Sequence, residues 1–276
     1  MSEFREIVLE PARRGLRLGV ADLWHYRELA WMLTWRDLKV RYKQTVLGAI
    51  WALLQPLLAM AVFTLVFGRY AALPSEGVPY AIFVYAGLLP WTYVSGAVAN
   101  ASQSLLANSS LVTKVYFPRV VIPSSACLAG LVDLGIASTV LAAMVAFSDV
   151  RPTAAGLALL PLLVALLFLL SLGCGLWLSA LKVEFRDFQY VVPFLIQVWL
   201  FLTPVIYPAA MVSGSARLFL AVNPLVGIVE AFRAATLGHR PVSWPLLAAS
   251  AVSTALILAS GLWYFRRVER GFADVI

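Results

Sequence analysis

Charge is scarce in this sequence, and cysteine and histidine are scarcer still. Asp, Glu, Lys and Arg make up 13% of the 276 residues and apolar types 62%, against roughly 25% and 45–50% in a soluble domain. That shortage excludes a surface clothed mainly in water. With a mean hydropathy of +0.87, much of the surface has lipid as its solvent. The two cysteines, Cys127 and Cys174, lie in apolar runs with no CxxC and no metal-ligand spacing, and read as small core residues. The two histidines, His25 and His239, fall at opposite ends of the expected topology and share no site. The sequence also lacks a G-x-x-x-x-G-K-S/T phosphate loop, an H-E-x-x-H and a G-x-S-x-G. No catalytic residue, no bound metal and no cofactor of its own is expected. The first 45 residues are polar and charged, and the apolar run that follows is too long and too late for a signal peptide.

What is present is a series of long oily stretches. Crossing a bilayer takes about 20 apolar residues in helix, and six segments are candidates: 46–67, 80–101, 121–147, 154–181, 190–207 and 246–265. With the N-terminus inside, the inner segments carry sixteen Lys and Arg and the outer segments five, which is the positive-inside bias. The excess basic charge is therefore a topology signal, and no nucleic-acid partner is implied. The expected organisation is a cytoplasmic segment 1–45, a membrane domain 46–265 and a cytoplasmic tail 266–276.

Residues 21–45 read as an amphipathic helix on the inner membrane surface. Trp24, Trp31, Trp35, Leu38 and Tyr42 recur at steps of seven, four, three and four, which keeps them on one stripe. Arg36, Lys39, Arg41 and Lys43 fall mostly off it, as suits a headgroup boundary. Residues 208–245 are too interrupted by Gly and Pro for a full span, yet Asn223 fits a helix N-cap, Pro224 the first helical position and Gly238 the residue past the end. Two short helices dipping in from the outer face are expected, tolerated where protein or a water-filled cavity shields the backbone. Glu230 and Arg233, three apart, can pair there and steady an outer gate.

One ionisable residue, Asp133, falls within the spans, too little for an ion-coupled relay. It is expected to face the bundle and bond a Ser or Thr of a neighbouring helix. If no ion gradient drives transport, energy arrives from outside the chain, and two inner loops suit its receipt. Residues 108–119 combine Asn108, Lys114 and Arg119 with Val115, Tyr116 and Phe117, and residues 182–189 place Phe185 and Phe188 beside Arg186. Aromatic and Arg side chains suit docking of a cytoplasmic partner, although the same residues also suit interfacial anchoring.

These segments resemble a known family. D-L-K-V-R-Y-K-Q-T-V-L-G-A-I-W-A-L-L-Q-P (37–56) is similar to the entry into the first span of the polysaccharide-export ABC transporter permeases, which move O-antigen, teichoic acid and capsule-like glycans. F-P-R-V-V-I-P (117–123), F-R-D-F-Q-Y-V-V-P (185–193), T-P-V-I-Y-P (203–208) and N-P-L-V-G-I-V-E-A-F-R (223–233) resemble later segments of that family, in family order. The resemblance implies an all-α integral membrane protein of the bacterial inner membrane, with six spans, a surface N-terminal helix, re-entrant helices near the outer exit and both termini cytoplasmic. It implies a homodimer with two copies of a cytoplasmic ATPase that binds ATP and Mg, and ATPase contacts in 108–119.

The resemblance further suggests a channel on the dimer axis, lined by the first and fifth spans, for a lipid-linked polysaccharide. Trp51, Phe63, Phe67, Trp199, Phe201 and Tyr207 are candidates for stacking on sugar C–H faces, with Gln55 and Gln197 as polar groups that need a cavity or partners. Aromatics also simply pack in bundles. Arg36, Lys39, Arg41 and Lys43 would attract a diphosphate, or equally ordinary anionic phospholipid at about 1 kcal/mol per charge. Rival functions are an ABC exporter of drugs or simple lipids, an ion-coupled transporter, and an intramembrane enzyme. The last lacks the paired acids or His/Asp arrangement it would need.

Overall fold

The computed structural model describes residues 26–43, 50–115, 117–212, 220 and 222–272. Among these residues the chain is helical without strands: α1 (Arg27–Lys43), α2 (Ile50–Phe63, continued by a π-helical stretch Thr64–Tyr70), α3 (Tyr80–Ala107), α4 (Ser109–Lys114), α5 (Val121–Ala146), α6 (Ala154–Glu184), α7 (Phe188–Leu202), α8 (Pro224–Leu237) and α9 (Trp244–Val268).

Five of these helices are long and apolar enough to cross a membrane: Ile50–Tyr70, Tyr80–Ala107, Val121–Ala146, Ala154–Glu184 and Trp244–Gly271. The segment expected as a span over 190–207 is shorter in the structure. Its helix, α7, stops at Leu202 after 15 residues, about 22 Å of rise against a hydrocarbon core of roughly 30 Å. The cause is Pro204, which pushes the residue before it out of helical backbone. Thr203 is extended, at φ −106° and ψ 133°.

Helix α3 is the pillar of the bundle. It packs against α5, α6 and α8, with α2 on a further side, and its Tyr85 and Tyr93 hydroxyls donate to the carbonyls of Ala137 (3.0 Å) and Cys127 (3.3 Å) on α5. Helices α6 and α9 approach closely enough that a Cβ on Gly261 would stand 2.6 Å from the Gly173 carbonyl oxygen. Helix α8 is almost wholly buried. Its ends follow the sequence signals: the Asn223 side chain accepts from the Leu225 amide, Pro224 opens the helix, and Gly238 takes the left-handed conformation at φ 63° that glycine adopts most readily. Of the other expected short helix, only Leu220 and Val222 lie within the described residues.

Helix α1 packs lengthwise along the first half of α5. Thr34 sits beside the Ser125 carbonyl, while Arg41 and Tyr42 reach Asp133. Seven residues of α1 thus match eight of α5, running in the same direction. The expected single stripe divides. Trp31 and Trp35 are exposed and stacked (6.4 Å, 15°), whereas Leu38 is buried and Tyr42 turns to Asp133. Trp24 lies outside the described residues.

Candidate functional site

The described residues offer four places where chemistry could act, taken from one end of the bundle to the other. At the two loops expected to face inward, Lys114, Val115, Phe185 and Arg186 are exposed, and Phe185 and Phe188 form a ring pair at 6.2 Å. Phe117 and Arg119 point inward instead. Phe117 is 7% exposed and joins the core. Arg119 donates to the Glu269 carbonyl and stands 5.9 Å from the Phe272 ring, which in turn packs on Phe265. Asn108 is occupied locally, its amide donating to the Ser104 carbonyl at 2.8 Å. Tyr116 lies outside the described residues. Sequence reasoning missed the clamp of the C-terminal turn beneath this loop, because backbone acceptors such as Glu269 leave no mark in a pattern. It also placed Lys182 in a loop. The structure buries it at the end of α6, donating to Gln103 Oε1 at 3.1 Å.

Between α1, α2, α3 and α5 lies a cavity of about 410 Å³. Asp133 stands on its wall and is held by Arg41 and the Tyr42 hydroxyl. The Ser or Thr partner expected for Asp133 is therefore replaced by groups from α1, since α1 packs along α5 and brings a guanidinium within reach. Arg41 consequently differs from its neighbours on α1. Arg36 pairs with Asp37 at 2.8 Å, Lys39 sits 5.5 Å from the Trp35 ring, and Lys43 is exposed. Trp51 and Gln55 line the same cavity.

The remaining pathway candidates divide. On α7, Tyr190, Phe194, Gln197 and Phe201 fall at steps of four, three and four and are all exposed, which places them on one face. On α2, Trp51, Gln55, Leu58, Val62 and Leu65 form the corresponding exposed face. Phe63 and Phe67 meet edge-on at 5.9 Å and pack half-buried against the core. Trp199 turns off the α7 face. Its ring meets Trp91 edge-on at 6.0 Å, and its Nε1 donates to Asn223 Oδ1 at 3.0 Å. Tyr207 is half-buried, its hydroxyl 3.3 Å from the Phe201 carbonyl.

Towards the other end, Arg233 is 1% exposed. The expected Glu230 pair forms at 3.2 Å, but it is only part of a larger knot. The guanidinium also donates to the carbonyls of Phe83 (3.3 Å), Pro204 (2.8 Å) and Val205, and lies 3.9 Å from the Phe83 ring centroid. Gly87 makes room for it, since a Cβ there would collide with Nη2. Glu230 accepts from the Ala209 amide at 3.2 Å. Asn223 donates to Leu202 and Thr203 while capping α8. Buried charges persist only when paired and hydrogen-bonded, and one arginine here fastens α3, α8 and the turn after α7. Nearby, Glu76 is buried and held by His239 Nε2 (2.8 Å) and Arg240 (2.7 Å), tying the α2–α3 loop to the α8–α9 loop. No sequence signal marked Glu76.

The bundle thus joins five helices of membrane-spanning length to open, largely apolar faces on α2 and α7 and one polar-lined cavity. A family model described as ABC-2 type transporter matches residues 28–237, and the chain belongs to that family. It is 34% identical over 93% of its length, and 98% of the relative's, to the O-antigen export system permease protein RfbA of Myxococcus xanthus. It is 25% identical to the protein of the same name from Klebsiella pneumoniae, over 92% of this chain and 97% of that one. Against the polysialic acid transport protein KpsM of Escherichia coli the identity is 25%, over 85% and 91%.

Proposed function

We propose that this chain is the permease subunit of an ATP-driven exporter that moves a lipid-linked, O-antigen-like polysaccharide from the cytoplasmic to the outer face of the bacterial inner membrane. The observation that carries the proposal is the pair of exposed faces on α2 and α7, each an apolar and aromatic stripe interrupted by a glutamine, Gln55 or Gln197. A primary amide facing hydrocarbon without a partner, as Gln197 on the open α7 face would in a single copy, costs several kcal/mol. Two copies of the chain, set so that these faces enclose a shared conduit, remove that cost and supply rings on which sugars can slide. The names of the relatives supply the cargo class, since they export O-antigen or transport polysialic acid.

In this scheme α7 and the turn after it make a sixth crossing, α8 re-enters from the outer side, and both termini are cytoplasmic. Asn223, Pro224, Glu230 and Arg233 form the rigid frame of the outer gate. Energy comes from two copies of a separate cytoplasmic ATPase, which bind ATP and Mg. Lys114, Val115, Phe185 and Arg186, exposed at the inner loops, receive it.

A deletion strain should lose its surface polysaccharide and accumulate the lipid-linked form inside the cell. The purified chain should form a two-plus-two complex with the ATPase from its own gene neighbourhood. Intact surface glycan in the deletion strain would overturn the proposal, and so would transport by the chain alone down an ion gradient.

A further inference from the structure

The cavity between α1, α2, α3 and α5 is distinct from the conduit outlined above except where Trp51 and Gln55 of α2 border both. Neither α7 nor α8 contributes to its wall. It lies well within the membrane domain, since Asp133 is twelve residues into α5, about 18 Å along that helix. Polar walls at such a depth are costly unless water or a polar ligand fills them. The volume of about 410 Å³ falls at the lower end of the range for small-molecule sites, roughly 300–1,000 Å³.

The lining has a particular chemistry. Gln55 and Asn100 each offer a donor and an acceptor, Asp133 keeps lone pairs beyond those taken by Arg41 and Tyr42, the Thr92 and Ser95 hydroxyls, which donate to backbone carbonyls, add acceptors, and Trp51 supplies a broad ring. Paired amide and carboxylate groups match the adjacent hydroxyls of a sugar, each of which both donates and accepts. The flat indole matches a pyranose C–H face. Charge decides between ligands. Among the described residues, the one arginine on the wall is paired with the one carboxylate, so these residues carry no surplus positive charge for a phosphate or an anionic headgroup. The floor is open as well. Gly96 lines the cavity, and a Cβ built on it meets nothing within 4 Å.

We propose that this cavity is a subsite for one neutral sugar residue of the exported glycan, set beside the conduit and sharing Trp51 and Gln55 with it. The proposal rests on the exporter reading. It makes α1 part of the recognition of cargo, because Arg41 and Tyr42 hold Asp133 in place.

Two experiments separate the subsite from that reading. In lipid nanodiscs, a Gly96→Cys variant is alkylated with a small methanethiosulfonate, with the parent chain giving the background from Cys127 and Cys174. The competing probes are octyl glycosides of glucose, galactose, mannose, rhamnose and N-acetylglucosamine, with octanol and octyl phosphate beside them. At least one glycoside should slow alkylation threefold or more, with octanol and octyl phosphate inert, and the protection should disappear when Asn100→Ala is added. If no glycoside exceeds octanol, the cavity holds only water. If octyl phosphate protects as strongly, it is an anion site. Either result overturns the proposal. In cells, Gly96→Leu should cut surface glycan at least fivefold at normal protein level, while Gly135→Leu, on α5 but off the cavity wall and also in open space, should leave it unchanged. Full export by Gly96→Leu, where the deletion strain exports nothing, sinks the subsite alone. Unchanged glycan in the deletion strain sinks the exporter reading.

Discussion

Helices α2 and α3 lie side by side, and the oilier of the two is the one left outside. The most apolar stretch of the α2 span has a mean hydropathy of 2.1 with 6% of its residues buried, whereas that of α3 has 1.4 with 78% buried. In water the order would be reversed. In lipid, tails are as apolar as leucine, so hydrophobicity alone gives a helix no reason to move inward. Small residues that allow close packing, and polar groups that need partners, are what belong in the interior. Helix α3 has both: Ala86, Gly87, Ala97 and Ala101 along its buried length, and Tyr85, Tyr93, Ser102 and Ser104 bonded to backbone carbonyls.

That contrast can be broken or sharpened by mutation. The largest effect is expected from Arg233→Leu, which strips a partner from Glu230 and from three carbonyls around α3. A loss of about 3–5 kcal/mol follows for a broken buried pair, read as failure to accumulate or a steep fall in thermal midpoint in detergent. A stable, abundant variant would show that α3 is held by packing alone. Phe117→Ala should cost about 3 kcal/mol as a core truncation, while Phe185→Ala, on the exposed loop, should leave the thermal midpoint in place and lower glycan-stimulated ATP hydrolysis. Equal stability losses at the two positions would erase the distinction between them. Tyr85→Phe should cost about 1 kcal/mol for its buried hydroxyl, measurable by denaturant titration in mixed micelles. Smallest in stability is Gln197→Leu on the open face of α7, expected within about 0.5 kcal/mol of the parent yet exporting several-fold less. If it exports normally, the exposed amide has no part in the path.

Much of the architecture was readable from the residues because membrane helices announce themselves locally. The ends of α8 follow from Asn223, Pro224 and Gly238, each of which acts through its own backbone or its nearest neighbours. The Glu230–Arg233 pair was likewise visible as a three-residue spacing. What escaped was any contact made to a carbonyl or across a long sequence gap. Asp133 joined to Arg41, Arg119 to Glu269, Trp199 to Asn223 and Lys182 to Gln103 are bonds between residues 24 to 150 positions apart. Phe117 was expected to be exposed, and its burial went unforeseen for a related reason. An aromatic in a polar loop looks exposed until a second segment, here the C-terminal turn, is known to lie beneath it.

The sequence by itself determined that this is a helical membrane protein, because apolar run length and cap residues act over a few residues to one helix length. Tertiary structure decided which helix is the pillar, which faces stay open and where the charged groups find partners. Those outcomes depend on which side chains meet across helices, and in lipid that is settled by close packing and by polar groups seeking partners.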